Sequence, residues 1–191
     1  MKIENIRIIL ASKSPRRKEL IEGAGFKTLI IPSDADENIE EKDPAELVKK
    51  LSDIKAISVY ESEKENIKEN DVVLGADTVV YAGGRILGKP SDKDEAREMI
   101  QLLAGNVHSV FTGFTLVFDN GKTITDYAET KVYVYPMSDE EIEDYISTNE
   151  PYDKAGAYGI QGLFGKYVEK IDGDYNNVVG LPVSKILNML K

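Results

Sequence analysis

The sequence predicts an α/β fold built on one long mixed sheet with flanking helices, and three observations carry that expectation. Strand patterns alternate with helical ones through the first eighty or so residues. Strands dominate the centre, around the hairpin signal Asn120-Gly121. Helix-start chemistry recurs between them, at Ser14-Pro15, at Pro90-Ser91 and at Ser138-Asp139-Glu140-Glu141.

In chain order, the apolar run 6–11 reads as a strand. It feeds a helix over 15–24, for which Ser14 is a suitable N-cap and Pro15 suits the first helical position because its missing N–H would have had no partner there. A strand over 27–32, a helix over 44–60 and a strand over 71–80 follow. Ala82-Gly83-Gly84-Arg85 turns the chain back into Ile86-Leu87, and Ser91 is the expected N-cap of the next helix, with Asp94 near its third position. Strands over 107–119 and 123–135 form the central hairpin, a candidate part of a second lobe. The Ser138 capping box opens a helix to about Thr148; then come a polar, Gly-bearing loop (150–162), a short strand (167–171) and a last helix after Pro182.

A chain of 191 residues buries roughly 70% of its extended surface on folding, so one domain over 1–191, with two lobes allowed, is the expectation. With 34 acidic against 24 basic residues the net charge is −10, which argues against a broad nucleic-acid or membrane-binding surface. A compact cationic pocket remains possible. There is no cysteine, which excludes disulfides, thiolate nucleophiles and zinc–sulfur sites. Met1-Lys2-Ile3-Glu4-Asn5 enters a strand pattern at once and no long apolar run occurs, so neither a leader nor a membrane span is expected and the location expected is the cytoplasm.

The chemistry concentrates in a few places. Ser12-Lys13-Ser14-Pro15-Arg16-Arg17 puts two hydroxyls, two guanidiniums and the unpaired N–H groups of a helix start together, as a polyphosphate requires. The alternative is a plain Ser-capped helix with two solvated arginines. On a helical projection Arg16 and Arg17 lie one turn above Leu20 and Ile21, so both are expected on the buried side. Asp77 is a charge inside the apolar strand Asp71–Val80, a candidate metal ligand or general base, or else a turn-capping aspartate. Gly75 and Ala76 beside it would admit a ligand close to the backbone. Lys55 falls inside the apolar arc of Leu47, Val48, Leu51 and Ile54, and either snorkels past the core or reaches an anion; Lys49 and Lys50 lie on the opposite, solvated side. Lys89 ends a short strand as an exposed lysine or a phosphate ligand, and 150–162 suits a close-fitting pocket or a surface Ω-loop. His108 reads as structural. No P-loop, GxGxxG or nucleophile-elbow pattern occurs.

These segments together resemble the Maf family of nucleoside triphosphate pyrophosphatases. Leu10-Ala11-Ser12-Lys13-Ser14-Pro15-Arg16-Arg17-Lys18-Glu19-Leu20 is similar to its N-terminal signature. Gly75-Ala76-Asp77-Thr78-Val79-Val80 with Gly88-Lys89-Pro90 is similar to its central one, and Asp153 to Gly162, Ile171 to Tyr175 and Val179 to Pro182 to its C-terminal half. The resemblance implies two lobes around a central cleft in a Maf/ITPase-like fold, a homodimer, and hydrolysis of a nucleoside triphosphate to the monophosphate and pyrophosphate with Mg²⁺ or Mn²⁺. By matching position, Ser12, Ser14, Arg16 and Arg17 resemble the phosphate loop, Lys55 and Lys89 its cationic clamps, and Asp77 the catalytic carboxylate. Glu37 resembles the acidic residue that joins Asp77 at the metal, with Asp36 also available. Arg16, Thr78 and Gln161 resemble the set carried by members acting on dTTP and UTP. A purine triphosphate substrate, or a nucleotide-binding regulator of cell division without turnover, are the competing readings.

Overall fold

A computed structural model describes residues 5–191, so most of the strand pattern read across Met1–Asn5 lies outside the described residues. The strands are β1 (Arg7–Leu10), β2 (Lys27–Ile30), β3 (Asp71–Ala82), β4 (Arg85–Leu87), β5 (Val107–Phe118), β6 (Thr123–Val134) and β7 (Val168–Asp172). The α-helices are α1 (Pro15–Gly23), α2 (Pro44–Glu63), α3 (Lys93–Leu103), α4 (Asp139–Ile146), α5 (Tyr175–Val179) and α6 (Val183–Met189). The expected mixed sheet forms with seven strands in the order β2-β1-β3-β5-β6-β7, with β4 pairing β3.

The chain divides into two compact units. The first holds the chain up to Asp77, then Thr112–Ala128 and Gly180–Lys191. Here β1 lies parallel to both β2 and β3. After Arg7 and Asp71, the paired stretches of β1 and β3 are apolar at every position because both faces are covered, whereas edge strand β2 is largely exposed. Ile8 and Leu10 of β1 join Val72, Leu74 and Ala76 of β3, Ile21 of α1 and Ile186 of α6 in one core. The residues between them, Ile9 and Val73, join Ala56, Val59 and Tyr60 of α2 in another. The period-2 alternation of a strand thus assigns β3 positions 73, 75 and 77 to the α2 side.

Two glycines bring α2 unusually close to the sheet. A Cβ on Gly75 would stand 2.2 Å from the Ser52 carbonyl oxygen and 2.7 Å from Ala56 N, and one on Gly113 2.2 Å from the Val48 carbonyl oxygen. This corrects the expectation that Gly75 admits a ligand: a helix backbone already fills that space. Asp43 caps α2 by accepting from Ala45 N at 2.8 Å and Glu46 N at 3.3 Å. At the edge, β2 stops at Ile30, two residues short of the expected end, just ahead of Pro32, which has no ladder donor.

The second unit comprises Thr78–Phe111 and Glu129–Val179. The Gly83-Gly84 pair, at φ of 57° and 79°, makes the tight β3–β4 turn that closes on the Ala82↔Arg85 pair. Ile100 and Leu103 of α3, Ile142 and Ile146 of α4, Val132 and Val134 of β6, and Phe164 build the core. The capping box at Ser138 forms as expected, with reciprocal bonds to Glu141. The cap of α3 shifts by one residue: Asp92, not Ser91, accepts from Glu95 N at 2.9 Å, while Ser91 gives its N–H and hydroxyl to the Glu95 carboxylate. A carboxylate is the stronger acceptor at the positive end of a helix, which decides between the two neighbours. The hairpin does not belong wholly to one unit, because its tip, Thr112–Ala128, lies in the first. Within the expected loop, Pro151–Asp153 and Ala155–Ala157 are single 3₁₀ turns, and α5 is an element that the sequence pattern does not signal.

Candidate active site

In the first unit, Ser12 follows β1, and Asp77 lies on β3 beyond the last parallel pair, Leu10↔Leu74. The chain leaves β1 for β2 through α1 and reaches β3 through α2, which covers the other face of the sheet. Carboxyl ends of parallel strands at such a reversal are where open α/β sheets hold ligands.

Asp77 emerges on the α2 side, two residues past Gly75. Ser52 and Ala56 of α2 press on Gly75, and Lys55, on the same stretch of helix, projects over Asp77. The Lys55 ammonium lies 2.6 Å from Asp77 Oδ1 and 2.8 Å from Glu37 Oε2. The Lys55 and Asp77 side chains are 11% and 16% exposed while that of Glu37 is 50% exposed, so the pair is deep and the third member open. Asp36, the other acidic candidate, accepts from Asn38 N at 3.0 Å and so spends an oxygen on its own turn. Lys55 therefore reaches an anion rather than snorkelling to water, and Asp77 faces a cation rather than capping a turn.

Ser14 caps α1, its hydroxyl accepting from Arg17 N at 3.4 Å. The Ser12 hydroxyl accepts from Ser14 N at 3.2 Å and from Arg17 Nη1 at 3.1 Å. Arg17 turns inward as the helical projection expects, and its guanidinium also donates to the Ala76 carbonyl at 2.9 Å and the Gly180 carbonyl at 3.0 Å. Burial lowers its pKa, opposed chiefly by the negative charge of Asp77. Arg17 thus joins the segment after β1 to the strand end beside Asp77 and to the start of the C-terminal segment. Arg16 is partly exposed beside it. Gly180 and its carbonyl were reached by sequence reading only as part of a motif.

The donor set of Glu37 and Asp77 consists of carboxylate oxygens aimed at one positive centre, which suits a hard divalent cation. Among the described residues no group of three or more His, Cys, Asp or Glu gathers as a metal cluster. Such a cation would complete its shell with phosphate oxygens and water, as Mg²⁺ commonly does.

The second unit holds the remaining candidates. Lys89 and Gln161 are exposed, and Thr78 is partly buried on β3. The Gly156 N–H donates to the Gly88 carbonyl at 2.9 Å, which ties the 150–162 segment to the strand end that carries Lys89. His108 is buried and structural, its Nε2 2.7 Å from the Tyr158 hydroxyl. Sequence reading missed Glu150, Tyr145 and Lys154, which hold this segment from inside. Their partners lie up to 14 residues away in the chain.

A family model described as Maf-like protein matches residues 7–191. A dTTP/UTP pyrophosphatase of Thermoanaerobacter sp. (strain X514) is 49% identical over 187 residues, 97% of this chain and 96% of its own. One of Bacillus anthracis is 48% identical over 186 residues, covering 97% and 94%. Among solved structures, a HAM1 protein from Coxiella burnetii matches at TM-score 0.43 and 14% identity, over 68% of this chain and 73% of its own. With the family model and near-half identity both running almost end to end, this chain belongs to the Maf family.

Proposed function

We propose that the chain hydrolyses dTTP and UTP to the monophosphate and pyrophosphate, with Asp77 as the catalytic carboxylate. The observation that carries the assignment of residues is Lys55, an ammonium held by both Asp77 and Glu37. Relatives covering nearly the whole chain carry the substrate class.

Water attacks the α-phosphorus, the bond from that phosphorus to the α–β bridging oxygen breaks, and pyrophosphate leaves with the electron pair. Asp77 orients the water and accepts its proton. The helix N-terminus at Ser14, the Ser12 and Ser14 hydroxyls, and the cations of Arg16, Arg17, Lys55 and Lys89 offset the charge that grows on the departing pyrophosphate. Lys55 also keeps two carboxylates from repelling an incoming polyanion. Glu37 and Asp77 would hold Mg²⁺ or Mn²⁺, which supplies Lewis-acid polarisation of phosphate oxygens. Glu37 takes this role over Asp36 because its carboxylate is the one that meets Lys55.

Base choice falls to Gln161, with Arg16 and Thr78. Uracil and thymine present an N3–H donor next to the O4 acceptor, and a glutamine amide answers with its oxygen and its nitrogen respectively. Cytosine reverses both groups and leaves the amide mispaired, at a cost of about 1–3 kcal/mol. We also propose a homodimer, for which Leu29 and Ile30 on edge strand β2, each 40% exposed, offer apolar surface, and a cytoplasmic location, where triphosphate substrates are found.

A panel of nucleoside triphosphates with pyrophosphate as the readout tests the reading. dTTP and UTP are expected to give the highest kcat/KM, and turnover to stop in EDTA and return with Mg²⁺ or Mn²⁺. A purine triphosphate as best substrate refutes the base assignment, binding without pyrophosphate release refutes the enzyme, and full turnover in chelator removes the metal.

A further inference from the structure

One acidic residue holds the far end of the turn that carries Gln161. The Gly162 N–H donates to the Gly159 carbonyl at 3.1 Å, which makes Ile160 and Gln161 the central residues of that turn. Past its far end, the Glu150 carboxylate accepts from Leu163 N at 2.7 Å and from Phe164 N at 3.3 Å. The same carboxylate lies so close to Gly162 that a Cβ there would stand 2.3–2.4 Å from it. At the near end the Lys154 chain fills the space beside Gly159, where a Cβ would meet Lys154 Cε at 2.8 Å. Lys154 Nζ donates to the Glu150 carbonyl oxygen at 2.8 Å.

A buried hydroxyl completes the arrangement. Tyr145 Oη lies 3.1 Å from Glu150 Oε1 and 3.2 Å from the Ala157 carbonyl oxygen, and can donate to either. Burial, reinforced by the Glu150 charge, pushes the Tyr145 pKa up, so the hydroxyl keeps its proton. The Tyr145 ring packs on Phe164 at 5.2 Å between centroids.

We infer that Glu150 is a positioning residue for base selection: it fixes the Gly159–Gly162 turn and thereby aims the Gln161 amide. The inference rests on Gln161 reading the base, as proposed above. Recognition by an amide discriminates only when its position is held, and holding it begins with the backbone that bears it. A carboxylate suits this task because it accepts several bonds at once. A glutamine at position 150 would set an NH₂ donor against a backbone N–H that now has an acceptor.

The ratio of kcat/KM for UTP over CTP is measured for the wild type, Glu150→Gln, Tyr145→Phe, Gln161→Ala and the Glu150→Gln/Gln161→Ala pair. Glu150→Gln is expected to lower the ratio about tenfold, the effect of one mispaired hydrogen bond, with the loss on UTP in KM more than in kcat. The double variant is expected to select no worse than Gln161→Ala alone, because the two residues act through one amide. Tyr145→Phe, which keeps the ring and removes only the hydroxyl, is expected to shift the ratio in the same direction, and it carries the test if Glu150→Gln lacks a cooperative unfolding transition. A wild-type ratio in both Glu150→Gln and Tyr145→Phe, with the ratio lost in Gln161→Ala, overturns the inference and leaves the Gln161 reading intact. A wild-type ratio in Gln161→Ala overturns both.

Discussion

The Lys55 ammonium stands 2.6 Å from Asp77 Oδ1 because the helix that carries it rests directly on the strand that carries the carboxylate. Gly75, two residues before Asp77, lets the α2 backbone come within contact at Ser52 and Ala56. The geometry of the ion pair is therefore set by backbone packing, and a change that lifts α2 off β3 disturbs the site without touching a charged group.

Gly75→Ala places a methyl group where the Ser52 carbonyl and the Ala56 amide already lie. Neither is a flexible side chain that can swing aside, so the cost is expected at about 2–3 kcal/mol, with reduced turnover. Gly23→Ala is the control: nothing lies within 4 Å of its added Cβ, and it is expected to be neutral or to add up to about 1 kcal/mol. Urea unfolding midpoints of the two variants compare them directly. Equal midpoints would refute the packing argument.

Arg17→Ala is expected to lower both turnover and stability. Its guanidinium donates to Ser12, Ala76 and Gly180, and its loss leaves polar groups without that partner, a cost of at least about 2 kcal/mol. Arg16→Ala, at the neighbouring position of the proposed phosphate loop, is expected to affect turnover far more than stability. Thermal unfolding and steady-state kinetics of the two proteins separate these effects; a stable Arg17→Ala enzyme with unimpaired turnover would contradict the assignment.

What the sequence made legible is mostly local. The Ser14 and Ser138 caps are each decided within four residues, and both form as expected. Lys55 could be singled out because a charge inside an apolar helical arc needs a reason, and Asp77 because a carboxylate inside an apolar strand does. What stayed hidden depends on distant partners. Gly75 announces a missing Cβ but not whether a ligand or a helix fills the space. Arg17 was visible as a cation, whereas its bond to the Gly180 carbonyl spans 163 positions. Glu150 looked like one charge among several in a polar loop, since its carboxylate's backbone partners come 13 and 14 residues later.

Burial lowers the His108 pKa from 6.5 to about 4. In that window the unfolded chain binds a proton that the folded protein excludes, so stability rises with pH. The contribution is fully present above pH 6.5 and is lost as pH falls toward about 4. His108→Gln is expected to flatten this part of the profile of melting temperature against pH. A variant profile as steep as that of the wild type would assign the slope to other groups.

The most direct test of the catalytic assignment is release of pyrophosphate from UTP by Asp77→Asn at saturating nucleotide and Mg²⁺. The substitution keeps the shape of the side chain and removes its basicity and most of its affinity for a cation. Turnover is predicted to fall by about 10²–10⁴-fold in a protein that still unfolds cooperatively. Wild-type turnover by folded Asp77→Asn would contradict the account.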